Sequence, residues 1–394
     1  MRIHVASLTG THVLDLAREL ERVQLLGTYY SALPSFRVRG LPPSRVHGHP
    51  FLLLPQYLLR RAGLDRFQPD IVWSTLEAFD RWLSRTVDRC DVFHAASGCG
   101  LRSFRRVKSE YGALTVCDRG STHIRVQDEL LRDEFARWGI AYRGIDPRGI
   151  AKDEAEYEES DVIVVPSTFV YESFVEAGVD PHKVVVIPYG VRLESFFPTP
   201  KRDEIFRILC VARIMVRKGI RYLLEATSRL TLPQSEVVLV GDLTHESKEL
   251  LAPYEGRFRL HPPVSRHTHE LRELYAQASV LVLPSIEEGF GLVIGEAMAC
   301  GVPIIATTHT GAAQAITDGI EGFIVPVRSP EAIRERIEYL YRHPAERTAM
   351  GLAALERMRS LRGWGRYTDQ MSEMYRQRTA AARRGAAARP LKTQ

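Results

Sequence analysis

The chain has 394 residues, a length that fits two or three domains, and its 45% hydrophobic and 26% charged residues are the ordinary balance of a globular protein. Its net charge of +5 is uneven: residues 34–66 hold six Arg and one Asp, residues 376–394 hold five Arg and one Lys with no acid, and the rest is net −6. This excludes a generally basic nucleic-acid binder; no apolar run reaches the roughly 18–20 residues of a bilayer span, and five scattered cysteines without metal-ligand spacing predict a reduced, cytoplasmic setting.

Taken in chain order, residues 2–7 predict a first strand rather than a signal peptide. A helix is expected over 12–26, then strands at 92–95, 113–117, 162–165 and 184–187. Between them lie helices at 101–111 and 124–138, and one behind Ser167, a good N-cap. The segment 49–61 mixes apolar side chains with Arg, which suits either contact with anionic lipid or a core-packing helix with a basic end; the second is favoured. Two prolines in the stretch 196–201 read as a linker. Strands are then expected at 208–212, 237–240, 279–283, 303–306 and 322–325, with helices opening near 218, 247, 269, 291 and 330. Trp364, Tyr367, Met371 and Met374 have helical spacing, and the Ala/Arg-rich residues from 380 onward predict a disordered tail. Short β-branched runs alternating with amphipathic ones mean α/β layers with parallel sheets.

The segment 284–303, PSIEEGFGLVIGEAMACGVP, carries the most chemistry. It follows a buried-strand run, turns through glycines and enters a helix closed by Gly301 and Pro303. The amides of Phe290, Gly291 and Leu292 fall at the helix start, where backbone N–H groups lack partners and suit a phosphate. Glu288 and Glu296 bracket that junction, and an ionised carboxylate can accept two hydroxyl hydrogen bonds at once. A diphosphate with a polyol at each end is a nucleotide-sugar.

These residues resemble the Glu-x7-Glu signature of retaining glycosyltransferases of the GT-B fold, family 4, also called glycosyl transferases group 1. The resemblance runs from about residue 161 to 375 and includes Val186-Ile187-Pro188-Tyr189-Gly190-Val191, Arg213 with Lys218-Gly219, Leu239-Val240-Gly241, Gly311-Ala312 and residues 318–323. It implies two Rossmann-like domains facing across a cleft, with a C-terminal helix crossing back to the N-terminal domain. The expected division is an acceptor-side domain over 1–195, a linker over 196–203, a donor domain over 204–362, the returning helix over 363–379 and a basic tail over 380–394.

By resemblance Glu288 meets the donor sugar and steadies developing charge, Glu296 accepts the ribose hydroxyls, and Val264, in the His261-Pro262-Pro263-Val264 loop, lies beside the base. That loop is equally well a rigid turn. Glu287 is expected to be solvated. Arg213 and Lys218 follow a parallel strand's carboxyl end, which faces the ligand crevice. Cations there stabilise a departing diphosphate more than the ground state, and the family places an Arg and a Lys at matching positions. His123 follows a strand at the cleft edge; by resemblance it contacts the donor sugar, and otherwise it caps a helix. Arg119 and Asp118 share its loop and suit an acceptor or phosphate. Gly10 opens a helix after the first strand, where a diphosphate or acceptor fits, although the family has two glycines and a longer loop there. His12 is an acceptor contact or a cap.

The expected protein is thus a metal-independent retaining hexosyltransferase (EC 2.4 class) without a cofactor. Its partners are a nucleotide-sugar donor and a glycan, lipid or small-molecule acceptor in cell-surface glycan or glycolipid synthesis. The resemblance implies that the leaving diphosphate takes the acceptor proton. Alternatives are a nucleotide-sugar epimerase or hydrolase on the same fold, and a non-catalytic nucleotide-sugar binding protein. An NAD dehydrogenase would need a Gly-x-Gly-x-x-Gly turn, which Leu8-Thr9-Gly10 lacks.

Overall fold

The computed structural model describes residues 1–61, 68–265 and 268–387. Two wholly parallel sheets form its two halves. The first contains β1 (Ile3–Ala6), β2 (Leu26–Ser31), β3 (Val46–Gly48), β4 (Val92–Ala96), β5 (Leu114–Asp118), β6 (Val162–Val165) and β7 (Val184–Val186), ordered β3-β2-β1-β4-β5-β6-β7. The second contains β8 (Phe206–Val211), β9 (Ser235–Val240), β10 (Arg259–His261), β11 (Val280–Leu283), β12 (Ile304–Thr307) and β13 (Gly322–Val325), ordered β10-β9-β8-β11-β12-β13. Helices cover both faces of a parallel sheet, so its central strands are apolar throughout. β6 reads VIVV and β11 reads VLVL, and every residue in both is buried.

Strand order reverses between β1 and β4 in the first sheet and between β8 and β11 in the second. Ligands of open α/β sheets bind beyond the strand carboxyl ends at such reversals. Loops leaving β1, β4 and β5 therefore form one wall of a cleft, and loops leaving β8 and β11 form the other.

The final helix, Trp364–Ala387, returns to the first domain. Trp364, Tyr367, Met371, Met374 and Tyr375 join the same buried cluster as Ile3, Val5, Leu16 and Val92. Each large side chain so buried contributes about 1.5–3 kcal/mol. The helix runs on through 380–387, where a disordered tail was expected, because its alanines and arginines are strong helix formers. Residues 388–394 of that expected tail lie outside the described residues.

Three further expectations change. The first helix ends at Arg22 rather than 26, because Gln24 adopts φ +57 and turns the chain into β2. No glycine marks that stop, so the apolar pattern reads on. Helices Gln68–Thr86 and Pro147–Glu159 add to those expected. The segment 49–61 packs on the core only in part: Leu52 and Leu53 lie against a first-domain core cluster, whereas Phe51, Leu54, Tyr57 and Leu58 are exposed. The Arg60 side chain and residues 62–66 of the basic segment 34–66 lie outside the described residues.

Candidate active site

The two walls meet where the glycine loop after β11 reaches the loop after β5. A Cβ on Gly289 would lie 1.8 Å from the Gly120 carbonyl oxygen, so only glycine permits this approach. Ser167 Oγ donates to the Gly289 carbonyl at 2.6 Å. Gly291 has φ +83, the left-handed region that favours glycine, and delivers the chain into the helix Leu292–Ala299.

Glu287 overturns the expectation of a solvated acid. It is fully buried and bridges the domains. Its Oε1 accepts from the Thr122 N–H at 3.0 Å and the Thr122 hydroxyl at 3.1 Å. Its Oε2 accepts from Gln127 Nε2 at 3.0 Å and lies 2.5 Å from Arg217 Nε. Burial pushes this carboxyl up, but the Arg217 charge and the Thr122 amide outweigh that and hold it below the usual range. Arg217 also donates to Ser121 Oγ at 3.1 Å.

Glu288 stands beside this junction, and its carboxylate pairs with Lys218. The two come from the loops after β11 and β8, so two expected site residues are brought together at the sheet reversal. Arg213 follows β8, is exposed, and makes no ion pair among the described residues. It faces a cavity of about 940 Å³ between the domains, together with Trp73, Arg119, Arg143, Asp153 and His245. Arg119 is tied down there, donating to Asp153 Oδ2 at 2.8 Å, Gln127 Oε1 at 2.9 Å and the Thr122 carbonyl at 3.1 Å.

Glu296 is buried inside its helix and accepts from Tyr275 OH at 2.8 Å. Phe290 and Leu292 line a separate cavity of about 330 Å³ against Tyr367 and Arg357 of the C-terminal helices. Val264 packs against the core of the second domain. Gly10 is exposed ahead of Thr11, which caps the first helix through the Val13 N–H at 3.3 Å.

His123 takes the cap role. Its ring accepts from the Arg125 N–H at 3.4 Å and packs on Tyr157 and Phe174 at 5.2 and 5.1 Å. Burial pulls its pKa down to about 4, so the ring is neutral at pH 7. Asp118 is likewise not an open acceptor contact. Its carboxylate is buried, held by His12 Nε2 at 2.8 Å and His94 Nε2 at 2.9 Å. His12 keeps part of its ring exposed and stacks on Tyr189, with centroids 4.3 Å apart.

Sequence reasoning missed Glu287, Arg217, Arg143 and the Tyr189 ring. The adjacent pair Glu287-Glu288 was the available signal, since consecutive side chains leaving a strand end diverge. One turns toward the opposite domain, the other toward Lys218.

Two facing Rossmann-like domains, reversed strand orders at a shared cleft and a helix that crosses back define the GT-B fold. Residues 191–357 match the family model of the glycosyl transferases group 1. It is 34% identical over 244 residues to the D-inositol 3-phosphate glycosyltransferase of Kineococcus radiotolerans, covering 53% of this chain and 55% of that protein. The chain spans about half the length of the curated relatives it matches. Sucrose-phosphate synthase of Thermosynechococcus elongatus superposes with a TM-score of 0.68 at 20% identity, covering 97% of this chain and 100% of that one. HepE of Anabaena, crystallised with UDP, gives 0.67 at 14% identity over 95% and 99% of the two chains. Among the described residues no helix is long and apolar enough to cross a membrane.

Proposed function

We propose that this chain moves a sugar from a nucleotide-diphosphate-sugar to an acceptor hydroxyl, with the anomeric configuration retained. The reading rests on one observation: Glu288 and Lys218 meet at the carboxyl ends of β11 and β8, beside the domain junction. There a carboxylate can hold sugar hydroxyls while a cation takes the charge of the departing diphosphate. Exposed Arg213 adds a bidentate fork for phosphate oxygens, so the reaction is proposed to need neither metal nor cofactor. The amides of Phe290, Gly291 and Leu292 would hold the diphosphate, and Glu296 the ribose.

On the acceptor side Arg143 faces the interdomain cavity without an ion pair among the described residues. The names of the curated relatives make a phosphorylated cyclitol the first acceptor to assay. A thermal-shift screen of UDP, GDP and ADP, followed by sugar transfer from the matching donors, tests the reading. Binding of one diphosphate and transfer from its sugar conjugate are expected; absence of both would overturn it.

We also propose cytoplasmic placement with peripheral contact at an anionic membrane, in cell-surface glycan or glycolipid synthesis. Phe36, Phe51, Tyr57 and Leu58 are exposed by 80, 74, 59 and 54%. Phe36, Phe51 and Tyr57 edge a cavity of about 680 Å³. Residues 34–61 hold five Arg and no acid. Each surface cation adds ~1 kcal/mol at an anionic leaflet. Co-sedimentation with anionic vesicles at low salt, and release at high salt, are expected; no binding to anionic vesicles disposes of the idea.

A further inference from the structure

The cavity of about 680 Å³ lies over the carboxyl ends of β1, β2 and β3, on the same side of the first sheet as the reaction cleft. Thr9, Leu33 and Pro50, from the loops after those three strands, line it. Backbone bonds lace these loops together. The Ala32 N–H donates to the Leu8 carbonyl at 3.0 Å, and the His49 N–H to the Ser31 carbonyl at 2.9 Å. Peptide groups already paired can be covered by hydrocarbon without the penalty of an unmade bond. Leu53, Leu54, Leu59 and Ile71 complete an apolar wall.

The helix Gln68–Thr86 is the partition between this space and the reaction cleft. Ile71 lines the apolar cavity, whereas Val72, Trp73 and Leu76 line the interdomain cavity of about 940 Å³. Adjacent Cα atoms are about 3.8 Å apart, so the two spaces meet across the opening turns of one helix. Arg148 anchors those turns, donating to Asp70 Oδ1 at 2.7 Å and lying 5.5 Å over the Trp73 ring. The two sides differ in chemistry. The interdomain side offers the Arg143 cation and the Arg119–Asp153 pair, which suit a phosphate and hydroxyls. The other side offers hydrocarbon, with Arg37 at its edge, exposed and without an ion pair among the described residues.

We propose that the acceptor is a lipid, with a phosphate-bearing polar head in the interdomain cavity and one hydrocarbon chain crossing the start of that helix into the apolar cavity. This rests on the glycosyl-transfer reading and names the acceptor class of the same site. It goes beyond contact with a membrane surface, because the chain enters the protein past Phe36, Phe51 and Tyr57 and is held beside the cleft. The five Arg of residues 34–61, with no acid among them, match an anionic head at the rim. The head supplies the acceptor hydroxyl. Its oxygen bonds the anomeric carbon, the bond from that carbon to the diphosphate breaks, and the hydroxyl proton leaves with the diphosphate.

The first test is calorimetry on the full chain with butyl and dodecyl phosphate, both kept below micelle formation. Each methylene moved from water to an apolar wall adds about fourfold in affinity. Dodecyl phosphate should therefore bind at least about 100-fold tighter than butyl phosphate; equal affinities overturn the proposal. Ile71→Asp, with a thermal melt as the check on folding, should weaken dodecyl phosphate at least about tenfold. Leu58→Ser changes an exposed side chain that does not line the cavity and should stay within about twofold of the parent. A loss in Leu58→Ser as large as that in Ile71→Asp would mean adsorption on the surface and overturns the cavity assignment. If Ile71→Asp does not fold, the chain-length series on the parent still decides. Saturating dodecyl phosphate should leave the affinity for UDP, GDP and ADP within about twofold; displacement would put its phosphate on the donor cations and overturns the acceptor assignment.

Transfer closes the test. Labelled sugar from the matching donor should enter the organic phase of a total bacterial lipid extract with the parent, and at least about tenfold less with Ile71→Asp. Label found only in water-soluble product overturns the lipid acceptor and leaves the transfer reading standing. A parent chain that binds dodecyl phosphate with the expected chain dependence, yet binds no nucleoside diphosphate and transfers no sugar, overturns the transfer reading and the acceptor role with it.

Discussion

Glu287 of the second domain accepts both the N–H and the hydroxyl of Thr122 across the cleft, at 3.0 and 3.1 Å. One carboxylate thus reads two donors of the opposite domain while its second oxygen holds Gln127 and Arg217. Further bonds support the contact at its far edge, where Glu134 accepts from Tyr222 OH at 2.7 Å and Arg328 Nε at 2.6 Å. The Gly289–Gly120 approach therefore has a polar latch beside it.

Removing one partner of a buried ion pair costs about 3–5 kcal/mol, because the other charge is left unpaired. In Glu287→Ala that cost falls on the interdomain contact. We expect a larger radius of gyration by small-angle scattering and a higher KM for donor, with each domain still folded. Identical scattering curves for variant and parent would remove the latch role.

Glu288→Ala should cut transfer about 100- to 1,000-fold, the size of a lost transition-state contact, while the nucleoside diphosphate still binds. Lys218→Ala and Arg213→Ala should weaken diphosphate binding as well as transfer. If Glu288→Ala transfers sugar at the parent rate, its assignment to the reacting sugar is wrong.

The parts legible in the sequence were those set by local pattern. Apolar runs gave the central strands β6 and β11, and Trp364, Tyr367, Met371 and Met374 gave the face on which the last helix returns. The pairing of Lys218 with Glu288 follows from two loops leaving adjacent parallel strands. What stayed hidden depends on distant neighbours. Glu287 reads as a loop acid until Thr122 and Gln127 arrive from the other domain. Asp118 reads as an acceptor contact until His94 and His12 close over it. The exposure of Phe51 and Tyr57 is invisible to a pattern that scores only apolarity.

His123 gives a pH prediction. Its pKa falls from 6.5 to about 4 on burial, so the folded ring stays neutral where an unfolded one would take a proton. The stability due to that difference is complete above pH 6.5 and lost as pH falls toward 4. His4, also lowered to about 4 by burial, acts in the same direction. Asn is a strong N-cap, so His123→Asn should keep the helix Ile124–Arg137 while removing one titrating group. Thermal melts should show similar Tm at pH 7.5 and a shallower decline between pH 6.5 and 4.5 in the variant. Equal declines would mean that the ring is solvated.

The returning helix gives the last prediction. Met371 is fully buried in a cluster shared with Ile3, Val5, Leu16 and Val92, all from the first domain. Truncating a buried Met to Ala removes its transfer energy and leaves a cavity, together about 2–5 kcal/mol. That loss belongs to the first domain, although residue 371 lies beyond the second domain in the chain. A calorimetric scan of Met371→Ala should therefore lower the transition carrying the first sheet and leave the donor-domain transition in place. Nucleoside diphosphate should still raise the unshifted transition, since binding only the folded state stabilises it. Exposed Leu352, on the helix Pro344–Ser360, is the control, and Leu352→Ala should move neither transition. If Met371→Ala instead lowers only the transition that responds to nucleotide, the helix supports the donor domain rather than the acceptor side.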